Sequence, residues 1–506
     1  MDLVRMFQYS VGRAPGAWAV SDGERRYTYA QLEEAVGRLA AALRRLEVGP
    51  HDRVAVLLKN RWETVVAFWA VQRVGAVFVP LNHHFSRAGL RFCLQDAEPR
   101  AILYEEGAVP DVKGLAEGLC AVLVGLDDPA AHVGLPELLA PARHDVPLAE
   151  PDDDDVAVML YTSGTTGRPK GVPRSHRNTF AAAVAHVVHN RYRWRERTLG
   201  AMPLYHTMGL HLLVATAMVN GMWVAMPEFD ADAAWELINQ ERVSTLYLIP
   251  TMYYGLFKGS AGMAGTPPVR KLAYAGAPLS DELILECRER FAPEVFVNHY
   301  GSTEVYTHTV HDVLGPKPGS AGKAGIHSQI AVVALEGGGE VPHALGAHEI
   351  GEIVVHGGSD EAFRGYWNRP DLTRQSLRNG WYHTGDLGYL DEDGDLFVVG
   401  RADELIISGG EHILPSEVER VLALHPKVAE VAVVGEPDPQ WGKMVVAYVV
   451  PKTSGLSPQE LDSFSKRQGE LPLWARPRKY VFVRQIPRSS EGKVLRRALV
   501  NLEGTV

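Results

Sequence analysis

One short stretch, YTSGTTGRPKGVPRSH (161–176), sets Thr162, Ser163, Thr165 and Thr166 among Gly164, Gly167 and Gly171, with Lys170 and Arg174 close behind. Glycines let backbone N–H groups approach a ligand, hydroxyls donate further hydrogen bonds, and a lysine neutralises negative charge. That combination suits a polyphosphate. The apolar VAVML (156–160) ahead of it reads as a buried strand and AAAVAHVV (181–188) as a helix, which puts a donor-rich turn between strand and helix. The kinase and GTPase P-loop is excluded. That pattern needs Lys directly after Gly and then Ser or Thr, whereas Lys170 follows Pro169 and precedes Gly171.

Such a turn needs a sheet behind it, and the flanking sequence supplies one. Amphipathic helical runs alternate with short apolar segments: TYAQLEEAVGRLAAALRRL (28–46), VAVLL (54–58) and WETVVAFWAVQRVGAVFVPL (62–81). Alternation of this kind predicts parallel sheets with helices on their faces. It resumes with strands at VSTLYLIP (243–250), KLAYAG (271–276) and EVFVNHYG (294–301). Beyond about residue 320 the texture changes. GEIVVHG (351–357) and DLFVVG (395–400) lie among turn clusters such as DEDGD (391–395), which indicates antiparallel hairpins. A last segment, from about 402, has its own helix (415–426) and strands (428–435 and 444–451). The predicted fold is α/β: a large N-terminal domain of doubly wound sheets with a β-rich subdomain, and a small α+β C-terminal domain.

The chain has 506 residues, too many for one core. A formal net charge of −10 argues against nucleic acid as partner, and the basic, aromatic HNRYRWRER (189–197) reads as a solvated loop within an acidic chain. Three scattered cysteines, Cys93, Cys120 and Cys287, suit a reducing compartment and fit neither a disulfide framework nor a zinc cluster. No stretch reads as a signal peptide, and the longest apolar run (212–226) is broken by Asn220 and Gly221. A cytoplasmic protein without stable membrane insertion is expected; a homodimer is left open.

Further polar clusters fall where an open α/β sheet places its ligands, at strand ends. They are AGAP (275–278), NHYGSTE (298–304), YHTGD (382–386), GRADELIISGGEHILPSE (400–417) and PRSSEGKVLRRAL (487–499). In this order, the set resembles the adenylate-forming superfamily of acyl-CoA synthetases, luciferases and peptide-synthetase adenylation domains. PLYHTMG, RADELIISGGEHILPSEVERVL, QWGK and KVLRR look closest to aryl-CoA ligases such as 4-chlorobenzoate-CoA ligase.

The resemblance implies an ATP-dependent carboxylate–CoA ligase: acid and ATP give acyl-AMP and pyrophosphate, then coenzyme A gives acyl-CoA and AMP. It implies ATP, Mg²⁺ and coenzyme A as cofactors and a small carboxylate as substrate. Thr162, Ser163, Gly164, Thr165, Thr166, Gly167 and Lys170 would hold the β and γ phosphates. Gly276, Ala277 and Pro278 would lie against adenine within reach of Asn298, His299, Tyr300, Gly301 and Ser302, with Tyr300 stacking. Thr303 would bond the α-phosphate, and Glu304, with Thr165, would hold Mg²⁺, a hard cation that takes oxygen ligands. Asp386 would accept the ribose hydroxyls and Arg401 contact ribose and phosphate. Lys493 would bridge the substrate carboxylate and the α-phosphate as charge develops.

The same resemblance divides the chain into an adenylation domain (1–400) and a mobile domain (401–506) that swings after adenylation on a hinge at 401–403, with Asp403 as pivot. Gly409 and Gly410 would then line a pantetheine tunnel, and Trp441, Trp474, Arg476 and Arg478 hold the CoA nucleotide. The sequence departs from the aryl-CoA ligases at LNHH, where His84 stands in place of an arginine, so its contact with the CoA phosphate is weaker.

The acyl pocket is expected from Ala185, His206, Thr207, Met208, Ala277, His299, Tyr306 and Thr307, with His206 also a catalytic candidate. Histidine, tyrosine and threonine among apolar residues favour a ring acid, aromatic or alicyclic, over a plain alkyl chain. The alternatives are a medium-chain fatty acid or transfer to a carrier protein. His206 and His211 lack the carboxylate or cysteine that a metal site would add.

Overall fold

The computed structural model describes residues 1–128, 131–140, 146–162, 168–258, 267–335, 344–468, 471–488 and 494–500. Its contacts gather into two units, Met1–Pro318 with Gly322–Gln329 and Val355–Tyr382, and Gly319–Ala321 with Ile330–Val354 and His383–Val506. The division expected at residue 400 concerns which part turns, and remains a proposal.

The larger unit holds two sheets. The seven-stranded one carries the parallel strands Arg53–Leu57, Val77–Pro80 and Ala101–Tyr104 and ends on the antiparallel pair Val156–Thr162 and Lys170–Ser175. Ala55, Leu57, Ile102 and Leu103 are fully enclosed, as parallel strands covered on both faces must be. The nine-stranded sheet includes Thr245–Leu248, Lys271–Ala275 and Val295–Tyr300, parallel neighbours as expected. In this register Tyr274 faces Asn298 and Ala275 faces His299, so the AGAP and NHYGSTE turns leave the sheet side by side.

One expectation changes. The turn after VAVML does not run straight into the helix; Lys170–Ser175 forms a strand first. It is the last strand of its sheet, and an edge strand tolerates Pro173, which lacks an N–H. The helix His176–His189 then begins on a capping box: the Ser175 hydroxyl accepts from Asn178 N–H, and the Asn178 carboxamide accepts from Ser175 N–H. Asn178 Nδ2 also donates to the carbonyls of Asp360 and Ala362, 2.9 Å each. Such a cap is worth about 1 kcal/mol. Here it also anchors the 360–362 segment.

In the smaller unit, Val428–Asp438 pairs antiparallel with Gly442–Pro451, which pairs parallel with Lys479–Phe482. Helix Pro415–Ala423 buries Val418, Val421 and Leu422 against Val433, Val445 and Ala447. A second hairpin joins Ile406–Ser408 to Glu411–Ile413 through Gly409 and Gly410, at φ 60° and 86°. A two-residue turn with both φ positive matches the twist of its strands, and glycine enters it without strain.

Candidate active site

The nucleotide side is built on strand ends of the larger unit. Thr162 pairs with Lys170 across the hairpin; Ser163, Gly164, Thr165, Thr166 and Gly167 lie outside the described residues. Lys170 sits 4.5 Å from the centre of the Tyr366 ring, with Nζ 3.4 Å from its hydroxyl. That hydroxyl donates to Glu304 Oε1 at 2.7 Å, so Lys170 and Glu304 meet at one phenol. The burial of Tyr366 and the neighbouring Glu304 carboxylate both raise the phenol's pKa, which keeps it a donor. Gly276 holds φ 89° beside half-buried Ala277 and exposed Pro278. Tyr300, half-buried, meets His308 edge to face at 4.9 Å. Gly301, Ser302 and Thr303 follow as a turn closed by Ser302 N–H to the Val305 carbonyl, 2.9 Å.

Arg174, which follows Lys170 in the same motif, is fully enclosed. Its Nη1 donates to the carbonyls of Thr303 (3.0 Å) and Glu304 (2.9 Å).

The acyl side converges from segments far apart in sequence. Met208 packs with Tyr247, Ala275 and Val297. His186, in the helix bearing buried Ala185, bonds Tyr306 Oη through Nδ1 (2.8 Å) and Tyr192 Oη through Nε2 (3.0 Å). Tyr306 Oη also donates to Tyr247 Oη, 3.2 Å. His299 stacks on His186 at 5.5 Å and meets Asn190 Nδ2 at 3.1 Å, and His211 lies edge-on to Tyr306 at 4.3 Å. Burial drives His186 down to about 3 and holds His299 and His211 well below the usual histidine value. All three are neutral at pH 7. Among the described residues, His299 Nδ1, both ring nitrogens of His211, Thr207 Oγ1 and Thr307 Oγ1 are buried without a partner. His206, half-buried at the start of helix Thr207–Met218, lies against Tyr205 at 4.6 Å, outside this network.

In the smaller unit, Arg401 Nη1 donates to Asp386 Oδ1 at 2.9 Å, and Nε donates to Asp403 Oδ1 at 3.1 Å. Burial works to lower this guanidinium, but the two carboxylates outweigh it and raise its pKa. Trp441, placed by Asp438 Oδ1 accepting its N–H, covers Gly409, where a Cβ would come within 2.8 Å of the indole. Arg478 stacks on the same indole at 4.5 Å. The structure turns Arg476 to Asp462, at 2.6 Å, and leaves Trp474 at the surface. His84, in the larger unit, is exposed beside His83. Lys493 lies outside the described residues.

Two families of known proteins match this chain: AMP-binding enzyme over residues 7–367, and the AMP-binding enzyme C-terminal domain over 417–493. The chain is an AMP-binding enzyme. Long-chain-fatty-acid–CoA ligase FadD13 of Mycobacterium tuberculosis is 33% identical across 94% of this chain and 92% of its own. Indoleacetate–CoA ligase of Aromatoleum aromaticum is 34% identical across 98% and 96%. Among solved structures, o-succinylbenzoate CoA synthetase of Bacillus subtilis with its acyl-adenylate superposes with a TM-score of 0.87, at 30% identity and 99% coverage of both chains. The same synthetase has been solved with ATP and a magnesium ion.

The donor set of this AMP-binding enzyme fits those groups. Glu304 is buried, and its Oε1 accepts from the Tyr366 hydroxyl. No trio of metal-ligating side chains occurs among the described residues, as suits Mg²⁺ held by one carboxylate plus phosphate oxygens. Sequence reasoning missed Tyr366, His186, Tyr192, Tyr247 and Asn190. No motif marks Tyr366. The pair His186 and Asn190, four apart on a helix, was a faint signal. A cavity of about 460 Å³ opens elsewhere, lined by Arg13, Trp18, Arg195, Arg197 and Asn220 among others, and holds no candidate residue.

Proposed function

We propose that this enzyme activates an aromatic or alicyclic carboxylic acid with ATP and passes the acyl group to coenzyme A in the cytoplasm. An oxygen of the acid attacks the α-phosphorus, pyrophosphate leaves, and the CoA thiol then attacks the acyl carbon with departure of AMP. Thr162 and Lys170, with Ser163, Thr165 and Thr166, hold the outgoing phosphates; Thr303 bonds the α-phosphate. Mg²⁺, held by Glu304 and phosphate oxygens, offsets charge that builds during the displacement. Asp386 takes the ribose, Arg401 ribose and phosphate, and Lys493 the charge shared between carboxylate and phosphate. A turn about 401–403 withdraws Lys493 and presents Gly409, Trp441 and Arg478 to CoA.

The observation that carries the ring acid is the neutral His186–Tyr306–Tyr247 network with unpaired polar atoms beside it. A straight alkyl chain leaves such atoms unmatched, at about 1–3 kcal/mol each. A ring with a hydroxyl, carbonyl or halogen fills the width and satisfies one of them, which corresponds to roughly tenfold to hundredfold discrimination. Specificity constants for benzoate, hydroxylated and halogenated benzoates, cyclohexanecarboxylate and octanoate test this reading. A ring acid is expected to lead. A lead of tenfold or more for octanoate reverses the assignment and favours the medium-chain alternative.

A further inference from the structure

A buried guanidinium ordinarily faces a carboxylate, because an unpaired charge taken out of water is costly. Arg174 does not. It is fully enclosed, and among the described residues its only acceptors are two consecutive backbone carbonyls while its Nε and Nη2 have no partner. Glu304 and Glu361 act on it only from a distance; burial lowers it to about 10 against their pull. A residue held at that expense on a strand edge is explained by what it grips.

It grips the two successive peptides on either side of Glu304, through the carbonyls of Thr303 and Glu304. The strand carrying it, Lys170–Ser175, also carries Lys170. Along a strand, side chains alternate, so Lys170 and Arg174 share a face. Phe363 N–H adds a bond to the Glu304 carbonyl at 2.8 Å, and Tyr366 fixes the Glu304 carboxylate. The turn is thereby held through its backbone from one side and through its side chain from the other.

We infer that Arg174 is a positioning residue for the adenylation step: it locks the two peptides flanking Glu304 to the strand that carries Lys170, so that the Thr303 hydroxyl and the Glu304 carboxylate keep a fixed distance from Lys170. The inference rests on the proposed roles of Thr303 and Glu304. A lysine in its place keeps the charge but replaces Nη1, whose two N–H bonds are fixed in the guanidinium plane and both carry a carbonyl, by a freely rotating ammonium on a flexible stem. Displacements of about 1 Å at a reacting centre cost on the order of a hundredfold.

The test uses the full-length enzyme with Arg174→Lys and Arg174→Met. It measures acid-dependent pyrophosphate–ATP exchange, thioester formation from supplied acyl-adenylate, the Mg²⁺ midpoint of exchange, and melting temperature. Arg174→Lys is expected to lower exchange roughly tenfold to a hundredfold and raise the Mg²⁺ midpoint. Thioester formation from supplied adenylate should stay within about twofold. Arg174→Met should lose more exchange, or fail to fold, in which case Arg174→Lys carries the result. Equal loss in both half-reactions, or an unchanged Mg²⁺ midpoint with exchange intact, overturns the inference. Glu304→Gln run alongside separates the two levels. If it exchanges normally, the reading of Glu304 fails; if it is inactive while both Arg174 variants are normal, only the role of Arg174 fails.

Discussion

The nucleotide side and the acyl side of the larger unit share the strand Val295–Tyr300, yet they are constructed in opposite ways. Toward the nucleotide, contiguous turns present backbone groups and charges: Gly276–Pro278, Gly301–Glu304, Lys170. Toward the acid, single residues from separate segments meet inside the protein, and none of His186, His299, Tyr247 or Tyr306 is charged at neutral pH. On the proposed assignment, a ligand with phosphates is held by local runs and electrostatics, and the acid is held by side chains that can be exchanged one at a time.

The sharpest way to break this contrast is at Lys493. Lys493→Ala is expected to slow acyl-adenylate formation by roughly a hundredfold to a thousandfold or more, measured by pyrophosphate–ATP exchange, and to spare thioester formation from supplied adenylate. A uniform loss would mean that both steps use one geometry.

Tyr306→Phe probes the other side. Removing the hydroxyl leaves His186 Nδ1 and Tyr247 Oη short of a partner. The specificity constant for a hydroxylated ring acid should fall about tenfold to a hundredfold, with KM for ATP within about twofold. A matching rise in KM for ATP would show that the two sides are not separable.

The gentlest effect is on stability. His186 titrates near 3 and His83, His176, His189 and His308 near 4 in the folded chain, against 6.5 for an ordinary histidine. Because burial depresses the folded values, the unfolded chain takes up protons first as pH falls. Stability is therefore full above about pH 6.5 and lost between about 6.5 and 3, with a limiting slope near 1.4 kcal/mol per pH unit for each group. Melting temperature should drop steadily from pH 7 to 5, and His186→Gln should shallow that slope by one proton's share. A flat profile would place these rings in contact with water.

The sequence made the nucleotide side legible because its chemistry lies in runs. Strands 245–248, 271–275 and 295–300 fell where alternation and turn residues put them. KGVPRS was not read as a strand, since glycine and proline ordinarily punctuate and only its place at a sheet edge admits Pro173. The inward turn of Arg174 is not legible in the motif, because residue type says nothing about which way a strand faces. The acyl side resisted for another reason. His186 sits in a run of alanines and valines, and its partner Tyr306 is 120 residues away. Tyr366 reaches Glu304 across 62 residues, a closeness that only the folded sheet creates.

The parallel register that sets Ala275 opposite His299 has a bearing on how this chain tolerates change in length. Helix Asp281–Phe291 and its flanking loops lie between those two strands in sequence, outside the pairing itself. Residues added in those loops lengthen a connection, and each doubling of a flexible loop costs only about 0.6 kcal/mol. One residue added within Lys271–Ala275 is different in kind. It sends every following side chain to the opposite face, moves Tyr274 off the interior, and carries Gly276 a full residue away from its neighbour turn. Insertions and deletions between the two motifs are thus cheap in the loops that flank the helix and costly within the strands, which makes the spacing of the paired strands, rather than the distance between motifs along the chain, the quantity that the fold keeps constant.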